Sequence, residues 1–164
     1  MAGASMNSGW FPLSAAQNSR WFSYQLDPSA QGGHNNAFAL RVQGGLDPGF
    51  LKKVVASLLK RHPMLRVKIR SHEGVTEQSV AGDVVSPVHV FDLRDADRSC
   101  IEQRIQSESV RAFDLSDAPL MRVNLFIVDD EDAVLQLVLD HIICDGWSYW
   151  ILLDELTESL GLFE

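Results

Sequence analysis

The sequence predicts an α+β fold, helices packed with a mixed, largely antiparallel sheet, on three observations. Apolar residues alternate with polar or small ones at Phe38, Leu40, Val42 and again at Leu65, Val67, Ile69, the period of a half-buried strand. Between these runs stand stretches with apolar residues at helical spacing and recognisable starts and stops. Short turn-like segments, Glu73-Gly74 and Asp129-Asp130-Glu131-Asp132, join neighbouring strand-like runs as hairpins.

The elements follow in order. Ser14 with Gln17 three residues on is a capping pair, which predicts a helix to about Tyr24. Gly32-Gly33 breaks the chain ahead of the strand at 37–42. Asp47-Pro48 opens a helix with Phe50, Leu51, Val54, Val55, Leu58 and Leu59 on one stripe. It stops near Arg61-His62, because the residue before Pro63 avoids the helical region. A strand at 65–69 turns at Glu73-Gly74 into a second at 76–80, and Val88 with Val90 and Phe91 suggests a short third. Residues 97–111 read as a helix with Ile101, Ile105 and Val110 on one face. Strands at 120–128 and 134–139 flank the acidic tip, which is a solvated turn rather than a calcium loop, since no glycine spaces its carboxylates. A last helix at 147–160 turns Trp150, Leu153, Leu156 and Leu160 inward.

The 164 residues, 46% hydrophobic and 22% charged, suffice for one domain with a real core. The net charge of -8 and scattered basic residues, Lys52-Lys53 and Lys60-Arg61 being the longest runs, argue against a nucleic-acid partner. No apolar stretch is long enough to span a bilayer, and no secretory leader is evident. Cys100 and Cys144 have no metal-ligand spacing and suit reduced thiols, so a cytoplasmic location is expected.

The segment from Asp140 to Ser148 is the candidate for chemistry. It places His141 four residues before Asp145-Gly146, between an apolar strand and an amphipathic stretch. An imidazole held there suits acid/base work near neutral pH, with a nearby carboxylate to orient it or shape the loop. On its spacing alone the segment is better read as a core histidine at a strand end.

Four stretches decide the matter. Pro12-Leu13-Ser14-Ala15-Ala16-Gln17 with Arg20-Trp21-Phe22, then Arg61-His62-Pro63-Met64-Leu65-Arg66, then Ala112-Phe113-Asp114-Leu115-Ser116 with Ala118-Pro119-Leu120-Met121-Arg122, and finally Asp140 to Ser148 occur in the order found in one family. Leu46-Asp47-Pro48 and Gly74 with Gln78 are lesser matches. The chain resembles the N-terminal half of a nonribosomal peptide synthetase condensation domain from Phe11 to Leu160.

The resemblance implies a fold similar to half of chloramphenicol acetyltransferase. Residues 1–10 are then a tail, or in Met1 to Ser5 an expression scar, and 11–164 an N-terminal subdomain whose C-terminal counterpart is missing. It implies amide formation between a carrier-bound acyl or peptidyl thioester and an acceptor amine. No cofactor or metal is bound directly; substrates ride on the phosphopantetheine of carrier proteins, which are the expected partners beside the missing subdomain. The isolated half is expected to be inactive and to self-associate through apolar surface.

Residue by residue, His141 matches the family's second motif histidine, as a base or as a hydrogen-bonding group that positions the amine. Asp145 matches the motif aspartate and Arg66 its usual partner, so a buried ion pair is expected to hold the loop. Gly146 relaxes the turn, Ser148 caps the helix that follows, and Trp147 and Trp150 pack. Asp140 stands where the family usually has a histidine. The spacing of Asp140, Asp145 and Ser148 also resembles heterocyclisation domains, which is the alternative enzyme reading. A carrier-protein docking platform without catalysis is the alternative outside enzymes.

Overall fold

The computed structural model describes residues 9–162. Strand β1 (Phe11–Pro12) leads into helix α1 (Ala15–Leu26), whose start is the predicted capping box. Ser14 Oγ accepts from the Gln17 N–H, and Gln17 Oε1 accepts from the Ser14 N–H. Each removes one orphan amide of a helix start. Trp10, expected in the tail, lies under the Arg70 guanidinium, 3.8 Å from its ring centroid. That cation–π contact anchors the chain ahead of β1.

Gly32-Gly33 is not a break but part of a 3-10 helix over Pro28–His34. Gly32 is required there by close approach, since a Cβ would fall 1.8 Å from the Val110 carbonyl oxygen. Strand β2 (Asn35–Gln43) and helix α2 (Pro48–Arg61) follow. Asp47 caps α2 by accepting from the Phe50 N–H, and Pro48 fills its first position. Its stripe of Leu51, Val54, Val55, Leu58 and Leu59 is buried as the spacing predicts. Leu65, read as strand, sits in a second 3-10 helix over Pro63–Arg66, because the chain leaving Pro63 first turns. Strands β3 (Val67–His72) and β4 (Val75–Val80) then form the hairpin, with Glu73 and Gly74 both at positive φ.

Beyond it come β5 (Val88–Asp92), α3 (Arg98–Val110), β6 (Met121–Ile127), β7 (Asp132–Asp140) and α4 (Gly146–Ser159). Two sheets result, β1-β4-β3 and β2-β7-β6-β5. All pairings are antiparallel except β5 with β6. The α+β class is as the alternation and hairpins predict.

The larger sheet separates two different kinds of packing. Val123, Leu125, Leu135, Leu137 and Leu139 belong to the main apolar core with Leu51, Val55, Leu152, Leu153 and Leu156 of α2 and α4. Alternate residues point the other way, because strand side chains change face at each step. On that second face Asn124 donates to Gln136 Oε1 at 2.7 Å, and Gln136 Nε2 reaches the Ile105 carbonyl and Ser109 Oγ of α3. Helix α3 therefore docks by polar groups. Ile101 and Ile105 are half-buried, Val110 is exposed, and the buried α3 residue is Glu108, contrary to the apolar face expected of it.

Two further expectations change. Asp132 of the acidic tip is buried at the start of β7, with Arg41 gripping both its oxygens at 2.7 and 2.5 Å. Arg41 holds the Asp132 carboxyl below the usual carboxylate range. Helix α4 turns Tyr149, Leu152, Leu153 and Leu156 inward, leaving Trp150 51% and Trp147 80% exposed. With Asp145 as its cap, the inward stripe runs from Tyr149 at steps of three, four and seven. Trp150 rests edge-on against Phe38 of β2, ring centroids 5.7 Å apart.

Candidate functional site

Strand β7 delivers Asp140 at its last position and the chain then turns through His141, Ile142, Ile143 and Cys144 into α4. The first and last carboxylates of this loop behave oppositely. Asp140 is fully buried; its Oδ1 accepts from the Tyr24 hydroxyl at 2.8 Å and the Ile142 N–H at 2.9 Å. Burial pushes the Asp140 carboxyl above its usual range, against the pull of these donors. Burial and the Asp140 carboxylate together push the Tyr24 phenol upward, so it stays a donor. Asp145 is exposed and caps α4, accepting from the Ser148 N–H at 2.8 Å, which lowers its carboxyl.

His141 lies half-buried between them. Its Nδ1 is 2.9 Å from the Cys144 carbonyl oxygen and its Nε2 is 2.9 Å from Nη2 of Arg20. A carbonyl can only accept and a guanidinium can only donate. These two partners suit the tautomer with the proton on Nδ1 and the lone pair on Nε2. The adjacent Cys144 thiol is pushed up to about 11 by burial and is not a thiolate at neutral pH. Its sulfur takes a long 3.5 Å contact from Asn36 Nδ2.

Nε2 faces an open cleft of about 590 Å³ between α1 and the loop, with Ser14, Gln17, Arg20, Met64, Gln78 and Ser148 among its walls. Gln17 and Gln78 are both buried and exchange two amide hydrogen bonds at 2.8 and 2.9 Å. This pair fixes the start of α1 on β4 and so sets the wall opposite His141. Among the described residues no cluster of three or more His, Cys, Asp or Glu side chains is placed to hold a metal ion.

The structure brings His141, Asp140 and Asp145 together and leaves Arg66 apart. Arg66 directs its guanidinium to the carbonyls of Leu59, Ala81 and Gly82, and no ion pair joins it to Asp145. The expected buried pair is replaced by two local devices: Asp145 caps a helix, and Arg66 ties the 3-10 turn to the end of β4. Ser148 is not the cap but the residue whose amide is capped. Gly146, the first residue of α4, needs no positive φ, and a Cβ there would meet nothing within 4 Å. Arg20 and Tyr24 received no role from the sequence. With Gln17 they lie at i, i+3 and i+7, a polar and aromatic stripe on a helix whose partner face was invisible in one dimension.

The backbone frame matches solved condensation structures. The chain superposes on a four-domain nonribosomal peptide synthetase bound to AMP and glycine with a TM-score of 0.83 at 22% identity, covering 93% of this chain and 12% of that one. It superposes on the starter condensation domain of rhizomide synthetase with a TM-score of 0.82 at 19% identity, covering 93% of this chain and 39% of that one. At such identities the likeness is one of fold.

Sequence carries the assignment further. Residues 7–160 match the condensation domain family model. The chain is 36% identical over 154 residues to a dimodular nonribosomal peptide synthase of Bacillus subtilis, 35% over 151 to cyclosporin synthetase of Tolypocladium inflatum, and 34% over 162 to phosphinothricin tripeptide synthetase of Streptomyces viridochromogenes. These alignments cover 92%, 92% and 96% of this chain but 6%, 1% and 15% of the relatives. This chain belongs to the condensation domain family of nonribosomal peptide synthetases. No helix of the described residues is long and apolar enough to cross a membrane.

Proposed function

We propose that this chain is the N-terminal part of a condensation domain that joins a carrier-bound acyl or peptidyl thioester to an acceptor amine. The observation that carries the reading is the His141 ring, pinned at Nδ1 by the Cys144 carbonyl and presenting an unprotonated Nε2 to the cleft. Such a nitrogen accepts a hydrogen bond from the attacking amine and orients its lone pair toward the thioester carbon. The amine nitrogen bonds to that carbon, the carbon–sulfur bond breaks, and the proton given up by the amine ends on the departing thiolate. Asp145 supports the loop as cap of α4, and Asp140 as the buried partner of Tyr24. Both thioesters are carried on phosphopantetheine arms of carrier proteins, so no cofactor binds directly.

The heterocyclisation alternative is weakened by the direction of Asp140. Its carboxylate points at Tyr24 inside the fold, whereas Asp145 and Ser148 lie at the exposed start of α4. Those three do not converge on one substrate position.

In the synthetase carrying this chain, His141→Ala is expected to abolish carrier-to-carrier amide transfer while circular dichroism and the thermal melt stay close to wild type. Undiminished transfer by the variant sinks the reading. Carrier binding without transfer by the wild type identifies a docking platform instead. The 164-residue chain alone is expected to be inactive and to self-associate through Trp147, Trp150 and Ile151, exposed on α4. Light scattering after size exclusion checks this; a monomer that catalyses transfer unaided refutes the need for a second half.

A further inference from the structure

Arg20 is half-buried in the cleft wall, and no carboxylate among the described residues forms an ion pair with it. Its guanidinium stands 2.9 Å from His141 Nε2. That contact exists only while Nε2 keeps its lone pair, because a guanidinium has no acceptor to offer an imidazolium N–H. The Cys144 carbonyl holds the opposite nitrogen as a donor. Arg20 and Cys144 thus select the tautomer with the proton on Nδ1.

Other titratable groups also face the imidazole, and a charge on Asp140 acts on the ring in the sense opposite to that of Arg20. Helix α1 adds Tyr24, neutral and hydrogen-bonded to Asp140. The loop itself contributes Asp140, whose burial disfavours its charge, and the neutral Cys144 thiol. Asp145 is exposed and engaged by Ser148. Strand β4 presents the uncharged Gln78 and the 3-10 turn Met64. Arg20 is the cation in direct contact with Nε2.

We propose that Arg20 is a positioning residue for amide transfer: it keeps His141 uncharged with Nε2 as an acceptor, and yields that nitrogen to the incoming amine. The inference rests on the reading of this cleft as a condensation site. A protonated amine meets the same positive charge, so the cleft favours the neutral nucleophile over its ammonium form. Transfer should then persist to lower pH than it would beside an uncharged residue.

Two variants separate charge from shape. Arg20→Gln keeps an N–H donor without charge; Arg20→Lys keeps charge without the planar fork. Both are followed by 15N spectra of histidine-labelled 164-residue chain, which report whether Nε2 of His141 is protonated. Both are also assayed for transfer across pH in the synthetase carrying the chain. In Arg20→Gln, protonation of Nε2 and the acid limb of kcat/KM should move upward by about one pH unit, roughly a tenfold loss below the limb. Arg20→Lys should keep the wild-type profile, and Arg20→Met takes the place of the glutamine variant should that one fail to fold. Identical titrations in wild type and Arg20→Gln overturn the proposal, as does a lysine variant that behaves like glutamine. A moved resonance with an unmoved transfer profile removes Arg20 from the reaction. The functional reading fails separately, through active His141→Ala, and leaves the spectra of the Arg20 variants intact.

Discussion

The two faces of the larger sheet hold their helices by different physics. One face meets α2 and α4 mainly through apolar side chains, Leu125, Leu135, Leu137 and Leu139 among them. The other meets α3 through Arg122, Asn124 and Gln136. Arg122 is buried, lies 3.8 Å above the Phe113 ring and donates to the carbonyls of Glu108, Arg111 and Ala112. Burial drags its guanidinium down to about 10, the largest departure a strongly basic group shows in this fold. The apolar face tolerates exchange of one hydrocarbon for another of like volume. The polar face does not, because the Asn124 and Gln136 amides and the Arg122 Nη groups have specified acceptors and the low dielectric makes a missing partner costly.

The largest effect expected belongs to the apolar face. Leu156→Ala, at a fully buried site of α4, should lower stability by about 2–5 kcal/mol in urea melts. A loss under about 1 kcal/mol would mean that the core collapses into the cavity and is less ordered than its burial suggests. Next comes the polar face. Gln136→Leu strands the Asn124 amide and should cost about 1–3 kcal/mol, whereas Asn124→Leu with Gln136→Leu together should cost less than Gln136→Leu alone. Simple additivity would show that these two amides do not act as a unit.

The smallest effect is a pH dependence. Asp140 sits at the end of the polar face with its carboxyl raised by burial. A raised folded-state value means the folded chain binds the proton more tightly than the unfolded one. The stability from this site is complete below the unfolded value, about 3.9, and is lost as pH rises through the folded value. Asp140→Asn removes the titration. Its melting temperature relative to wild type should therefore be higher at pH 7 than at pH 3, and a difference that does not vary with pH would rule out a raised Asp140.

The same contrast explains what the sequence made legible. Helix α2 and the capping box of α1 could be read because period, cap and stop coincide at Asp47, Pro48 and Pro63, and at Ser14 and Gln17. Helix α3 misled because its partner is a polar seam, and hydrophobic periodicity carries no information about amide pairing. Trp150 misleads for a related reason: its spacing matches that of a core residue, whereas the cap at Asp145 turns Tyr149 and Leu152 inward. His141 could be found from the loop motif and its strand-to-helix setting. Arg66 could not be placed, since its carbonyl partners are named by geometry alone. Arg20 and Tyr24 lie more than a hundred residues from the groups they touch, a separation that one sequence does not bridge.

Helix α1 is attached at both ends to different sheets: Gln17 to Gln78 of β4, and Tyr24 to Asp140 of β7. Seven residues of helix separate these attachments, about 10.5 Å of stiff rod. The rod behaves as a strut whose length the backbone fixes, with Arg20 near its middle. Three contacts spaced along one stiff helix, Gln17 to Gln78, Arg20 to His141 and Tyr24 to Asp140, therefore hold the width of the cleft between the two sheets.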